Sequence, residues 1–347
     1  MIKYISIRVF GLGVLLVLLN YLYVLFFYQR DLREKSDKIL ELRESQKKAD
    51  ILYFAESSNV NFRENDSIKL SISELTNLFF PKLKVIAVNN VASHAGIFKY
   101  WLNEIDLIKN KPKAIVVTLN LRSFDAAWRH SKLETPLRES LVLVEPYPPL
   151  FNRFLLALQA FDSKDETERE KEMLKEWKET QLHFPFEFKY KTVREWDGAM
   201  ANGGHLNADG SWDIKKSELA CHYIKAYAFN LNEHNPRVRD FDDIAAWANE
   251  NKVNVYFNLL AENVEYADSL VGKELVFLMK QNRDFLMKRY NRNYCKVADN
   301  LDVVPGKEFT DQDWTTEHYG YRGRMYIARN LAAQLKTQFE NEYQKAY

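Results

Sequence analysis

Cysteine is nearly absent: Cys221 and Cys295 are the only two in 347 residues. Two thiols cannot build the multi-bridge framework of a small secreted domain, and neither lies at zinc-site spacing from histidines. They read either as one disulfide or as two buried thiols. An excess of one charge is missing too. Lys and Arg number 49 against 48 Asp and Glu, a net charge of +1, which argues against an extended nucleic-acid-binding surface. No internal repeat or low-complexity tract is visible. Apolar material is not scarce: 46% hydrophobic against 28% charged residues supplies a sizeable core and excludes bulk disorder.

The most local absence is the most informative. No charged residue lies between Arg8 and Arg30. Val9 to Tyr28 reads VFGLGVLLVLLNYLYVLFFY, and about 20 apolar residues in a helix span about 30 Å of hydrocarbon. Asn20 is its only strongly polar side chain, and Tyr21, Tyr23 and Tyr28 cluster toward one end, as at a bilayer interface. A buried core helix or a cleaved signal peptide are the alternatives. The run lacks the polar stripe of the first, and Phe26-Phe27-Tyr28-Gln29-Arg30 is not the small-residue cleavage site of the second. Residues 1–30 are therefore expected to anchor the chain in a lipid bilayer through residues 9–28. Lys3 and Arg8 precede the span, while Arg30, Arg33, Lys35, Lys38 and Arg43 follow it among acids. Such counts favour the body inside, but large domains translocate largely regardless of them. Residues 31–49 read as a charged helical linker.

Five apolar runs carry the strand signal in the remainder: Ile51–Ala55, Val85–Val88, Ala114–Leu119, Val253–Leu260 and Tyr294–Ala298. Helical patterns separate several of them, as in Gly96–Lys109 and Asp242–Glu250, and a last one opens near Gly320. Alternating strand and helix implies an α/β fold with a parallel sheet. Residues of about 125–245 do not fit the rhythm and read as an insertion in a body covering 50–347. Within it Asp162–Thr180 is a charge-dense helix. Phe184, Phe186, Phe188 and Tyr190 alternate as in a strand with one aromatic face, either core or a carbohydrate platform. Gly203–Gly210 suits a hairpin or a mobile loop.

Open parallel sheets bind ligands at the carboxyl ends of their strands. The first run ends in Ala55-Glu56-Ser57-Ser58-Asn59, the second leads to Val91–Gly96, and the third ends at Asn120-Leu121-Arg122. Downstream lies Asp311-Gln312-Asp313-Trp314-Thr315-Thr316-Glu317-His318. Ser57 reads as a nucleophile or a helix cap, and His318 as a general base or an ordinary helix-start residue. Gly96 and Asn120 are oxyanion candidates. Arg122 and His205 are substrate-binding candidates, with salt-bridge and plain loop readings beside them.

In this order the segments resemble the SGNH (GDSL-like) hydrolase superfamily, most closely its membrane-anchored branch. That branch includes the D-alanyl transfer protein of teichoic acid modification and alginate O-acetyltransferase-like proteins. The resemblance implies a three-layer, flavodoxin-like sandwich with a large insertion. It maps Ser57 to the nucleophile, Gly96 to the second-block glycine, Asn120 to the third-block asparagine and His318 to the last-block histidine. Thr315 stands where the family's acid is expected, and Asp313 is the substitute favoured over Asp311 and Glu317. Ala55 and Glu56 replace the family's Gly-Asp. The implied activity is a Ser-His-Asp, or Ser-His dyad, esterase or O-acyltransferase needing no cofactor or metal, acting outside the cytoplasm on a cell-envelope or exported polysaccharide. A multi-span membrane acyltransferase is the implied partner. A degenerate glycan-binding or scaffolding subunit is the alternative, with Trp128, Trp196 and Trp212 as stacking residues.

Overall fold

The computed structural model describes residues 2–162 and 164–344; Met1, Ser163, residues 345–347 and the Ile2 and Lys3 side chains lie outside the description. An N-terminal arm of three helices, α1 (Ile2–Phe26), α2 (Tyr28–Lys35) and α3 (Asp37–Ser45), leads into the body. There follow β1 (Ile51–Ala55), α4 (Ser57–Val60), α5 (Ile72–Asn77), β2 (Val85–Asn89), α6 (Ala95–Asn103) and β3 (Ala114–Leu119). Six helices come next: α7 (Ala126–Arg129), α8 (Glu134–Val142), α9 (Pro149–Ala157), α10 (Glu166–Glu179), α11 (Val193–Ala201) and α12 (Ile214–Tyr227). The chain then returns through α13 (Pro236–Asn251) to β4 (Asn254–Leu259), α14 (Val264–Leu270), α15 (Lys273–Tyr290), β5 (Cys295–Asp299) and α16 (Tyr321–Lys336).

The five strands form one all-parallel sheet in the order β2-β1-β3-β4-β5. Strands buried on both faces need unbroken apolar runs, and β1 (ILYFA) and β3 (AIVVTL) are buried at every residue. Alternate side chains enter two separate cores. Leu52, Phe54, Ile115 and Phe257 meet residues of α3, α6, α13 and α15 on one face. Ile51, Tyr53, Val116 and Tyr256 meet α5 and α16 on the other.

Helix limits differ from the sequence expectation where a local cap decides them. The helix expected to continue to Lys109 stops at Asn103, because Asp106 accepts the Ile108 and Lys109 N–H groups and Gln46 clamps the Glu104 carbonyl. The helix expected from Asp242 starts at Pro236, behind an Asn235 cap. Its Val238, Phe241, Ile244 and Ala248 pack on the sheet, so α13 belongs to the sheet layer rather than to the insertion.

No strand forms over Phe184–Tyr190; a single bridge, Gln181 to Thr192, stands nearby. The Phe184 and Phe188 ring centroids lie 4.5 Å apart, where an extended strand would hold them about 13 Å apart. Pro185 withholds a ladder donor, and the rings instead cluster with Trp196 and Phe277. The glycine-rich stretch closes as a hairpin, with a Leu206–Trp212 bridge. Both cysteines are free and buried.

Candidate active site

In this strand order the chain leaves β1 for β2 on one side and returns to β3 on the other. The crevice between the carboxyl ends of β1 and β3 is therefore the switch point where side chains from two loops converge on open space. Ser57 follows β1 and Asn120 follows β3. His318 arrives from the far edge. After β5 the chain turns through Gly306–Glu308, and a loop closes on itself through the Phe309–Tyr319 bridge and a bond from the Thr310 N–H to the His318 carbonyl.

A fully buried arginine holds that loop against the β1 side. Arg324 donates to the carbonyls of Asn61, Ile68, Leu70 and Tyr319 and to Asp66. It thereby ties the segment after Ser57 to the segment after His318. The Ser57 Oγ lies 3.2 Å from the His318 Nε2. The His318 Nδ1 lies 2.8 Å from the Asp311 Oδ2. A carboxylate at Nδ1 keeps the proton on that nitrogen and leaves Nε2 to accept the serine O–H. Burial works to raise the Asp311 pKa, but hydrogen bonds from Thr316 and His318 outweigh it and hold the carboxyl below its ordinary value.

The acid at the histidine is thus Asp311, not Asp313. The reason is the loop closure: pairing Thr310 with His318 sets Asp311 across from the imidazole and carries Asp313 to the exposed tip. Gly96 does not offer a donor to Ser57. Its N–H goes to the His94 Nδ1 at 3.1 Å, and a Cβ there would meet Arg237 and Asp240 of α13. His94 is accordingly a helix cap, with its Nε2 3.0 Å from Glu134. The left-handed residue in the loop after β2 is Ala92 (φ +57°).

Asn120 is buried at the switch point, gives one amide N–H to the Glu56 Oε1 at 3.0 Å and caps the turn at Arg122 N. A primary amide has two such donors, so one is left over. Arg122 is committed to Glu317 at 2.9 Å and lies over the Trp128 ring. His205 is held away by α14, its Nε2 2.6 Å from the Leu270 carbonyl.

A second polar cluster sits behind the first. Glu56, Glu262 and Glu317 are each at least 97% buried around the one guanidinium of Arg122. Three carboxylates cannot all ionise beside one cation in a dry interior. Burial and Glu317 push the Glu56 carboxyl up to about 8. The same two causes raise Glu262 well above its ordinary value, and Tyr227 donates to it at 2.5 Å. Sequence reasoning missed this cluster, although Glu56 and Glu317 directly precede Ser57 and His318. It also missed Trp314, half exposed on the Asp311 loop, with its ring 4.0 Å from the His222 ring. Among the described residues, no group of His, Cys, Asp and Glu is arranged to hold a metal ion. No protein-family model matches the chain, and no curated protein sequence matches it significantly.

Proposed function

We propose that this chain is a membrane-anchored serine esterase or O-acyltransferase of the SGNH-like kind, acting on a cell-envelope or exported polysaccharide. One observation carries the reading. Ser57, His318 and Asp311 form a hydrogen-bonded relay at the switch point of a parallel sheet, the serine and histidine coming from positions 261 residues apart. Ser57 Oγ attacks an ester carbonyl carbon while its proton passes to the His318 Nε2. The tetrahedral intermediate collapses, and the leaving alcohol takes that proton. Water or a sugar hydroxyl then attacks the acyl-serine, giving hydrolysis or transfer. Developing negative charge meets the N–H groups that open α4, which have no partner within the helix, and the second amide N–H of Asn120. Each such donor is worth about 3 kcal/mol.

The polysaccharide part of the reading rests on Trp314, an exposed aromatic ring on the loop that carries Asp311, and on the resemblance to the SGNH superfamily. The anchor rests on α1, in which Tyr4–Phe26 is long and apolar enough to cross a membrane. An extracytoplasmic body and a multi-span acyltransferase donating the acyl group complete the proposal. The test is fluorophosphonate labelling and p-nitrophenyl acetate turnover by wild type and Ser57→Ala. Labelling and turnover that vanish with Ser57 support the enzyme; equal rates remove Ser57 as nucleophile. One observation favours a glycan-binding scaffold instead: Gly96 and one Asn120 donor are already committed elsewhere. Absent labelling with retained glycan binding would select it.

A further inference from the structure

Helix α9 is built inside out for a water-soluble surface. Residues 146–160 read PYPPLFNRFLLALQA and contain one charged side chain, Arg153, whose Nε lies 2.9 Å from Asp31. The helix turns Asn152 and Leu156 inward. Outward it presents Phe151 (49% exposed), Phe154 (61%) and Leu158 (68%), with Tyr147 (53%) just ahead. Spacings of three and four put the first three on one stripe. Exposed apolar stripes of this kind mark an interaction surface.

The occupant follows from where the stripe lies. Helix α9 packs along the last turns of α1. The Leu150 N–H bonds to the Asn20 Oδ1 at 2.9 Å, and Tyr23 bonds to Asp31, the partner of Arg153. Asn20 stands six residues before the end of α1 at Phe26, so Leu150 sits about 9 Å below that end along the helix axis. If α1 crosses a bilayer, the start of α9 is already at headgroup or acyl depth. It is there beside a helix whose side chains at Leu18, Leu19, Tyr21 and Leu22 are themselves exposed.

We propose that α9 is an interfacial membrane helix, with Tyr147, Phe151, Phe154 and Leu158 buried in the bilayer, and that the domain is held at two points. Asn20 then has a physical reason to sit in an otherwise apolar span: a polar residue at membrane depth faces a protein partner. Apolar side chains of this size sink about 5–10 Å past the headgroups. The inference rests on α1 as a span, and the test separates the two.

Single cysteines replace Leu18, Phe154, Leu158 or Lys296 in the full chain carrying Cys221→Ser and Cys295→Ser. Each variant is spin-labelled and reconstituted in phosphatidylcholine–phosphatidylglycerol vesicles. Collision with oxygen, which concentrates in lipid, is compared with collision with a water-soluble nickel chelate. Lys296, exposed on the strand at the opposite edge from β2, is the water control. The expected result is an oxygen-dominated signal at 18, 154 and 158 and a nickel-dominated one at 296. An oxygen-dominated signal at 18 with nickel-dominated signals at 154 and 158 overturns the α9 proposal and keeps the span. Nickel-dominated signals at all four positions overturn both. Exclusion of both agents at 154 and 158 means protein covers the stripe, and also overturns it.

Discussion

Ser57 and His318 are only part-buried, while the residues immediately before them, Glu56 and Glu317, are buried in the interior. The front cluster is satisfied by its own members: serine to imidazole, imidazole to Asp311, Asp311 to Thr316. The rear cluster is short of partners. One oxygen each of Glu262 and Glu317 and the Nε of Arg122 are buried without a hydrogen bond. The two clusters also titrate in opposite senses. Asp311 is held below its ordinary pKa, so its share of stability is present above the unfolded value and is lost as pH falls through the lowered folded value. Glu56 and Glu262 are held above theirs, so their share is full at low pH and lost as pH rises.

The sharpest break of this contrast is at the relay itself. Asp311→Asn should cost about 10⁴-fold in ester turnover, by misorienting the imidazole and choosing the wrong tautomer. Asp313→Asn, at the exposed tip, should leave turnover within a factor of two or so of wild type. Equal loss from both would dissolve the front cluster as drawn. At the rear, Arg122→Ala strands a buried carboxylate and should destabilise the fold by about 3–5 kcal/mol in urea. An unchanged midpoint would mean that Glu317 finds another partner.

The opposed titrations give the next effect. The folded chain keeps the protons on Glu56 and Glu262 where the unfolded chain, at the ordinary 4.5, has released them. The native state then binds more protons, and stability should fall as pH rises from about 5 to 8, by about 1.4 kcal/mol per pH unit for each fully displaced proton. Glu56→Gln should flatten that slope. A stability that climbs over the same window would show the rear cluster ionised. The smallest effect is at the rim: Trp314→Ala should raise KM for an acylated glycan about 3–10-fold, from one lost aromatic contact. The kcat on p-nitrophenyl acetate should stay put.

The central strands could be read from sequence because strands covered on both faces need unbroken apolar runs, and the part-covered edge strands β2 and β5 from shorter apolar runs. Val85–Asn89 and Ala114–Leu119 stand out against polar flanks. Ser57 and Asn120 could be read because they follow strand ends, and His318 because it stands just ahead of the apolar pattern of α16. Asp311 could not be told from Asp313, since the choice depends on which residue of the loop pairs with which, and no local pattern encodes that closure. The Phe184–Tyr190 segment misled for a related reason. Period two describes where side chains would point if a neighbouring strand existed, and here none does. The rear cluster was hidden because Glu262 lies far from Glu56 and Glu317 in sequence and meets them only in the fold.

Between Gly13 and Pro81 the chain contains neither glycine nor proline, and α1, α2 and α3 succeed one another with only short breaks at Phe27 and Ser36. Tyr28 and Ser36 donate to the carbonyls of Leu143 and Ser140, and Arg43 pairs with Glu104. The body is therefore bolted to its post, not hung from a leash. Asp37 and Lys38, at the start of α3 where it follows α2, line one cavity with Asn90–Ala92 at the carboxyl edge of the sheet. The edge that carries Ser57 is the one nearer the post. A flexible tether would let a catalytic serine sweep a range of heights. If α1 crosses a bilayer as proposed, Ser57 is held at a single height, and the proposed substrate must be delivered to it.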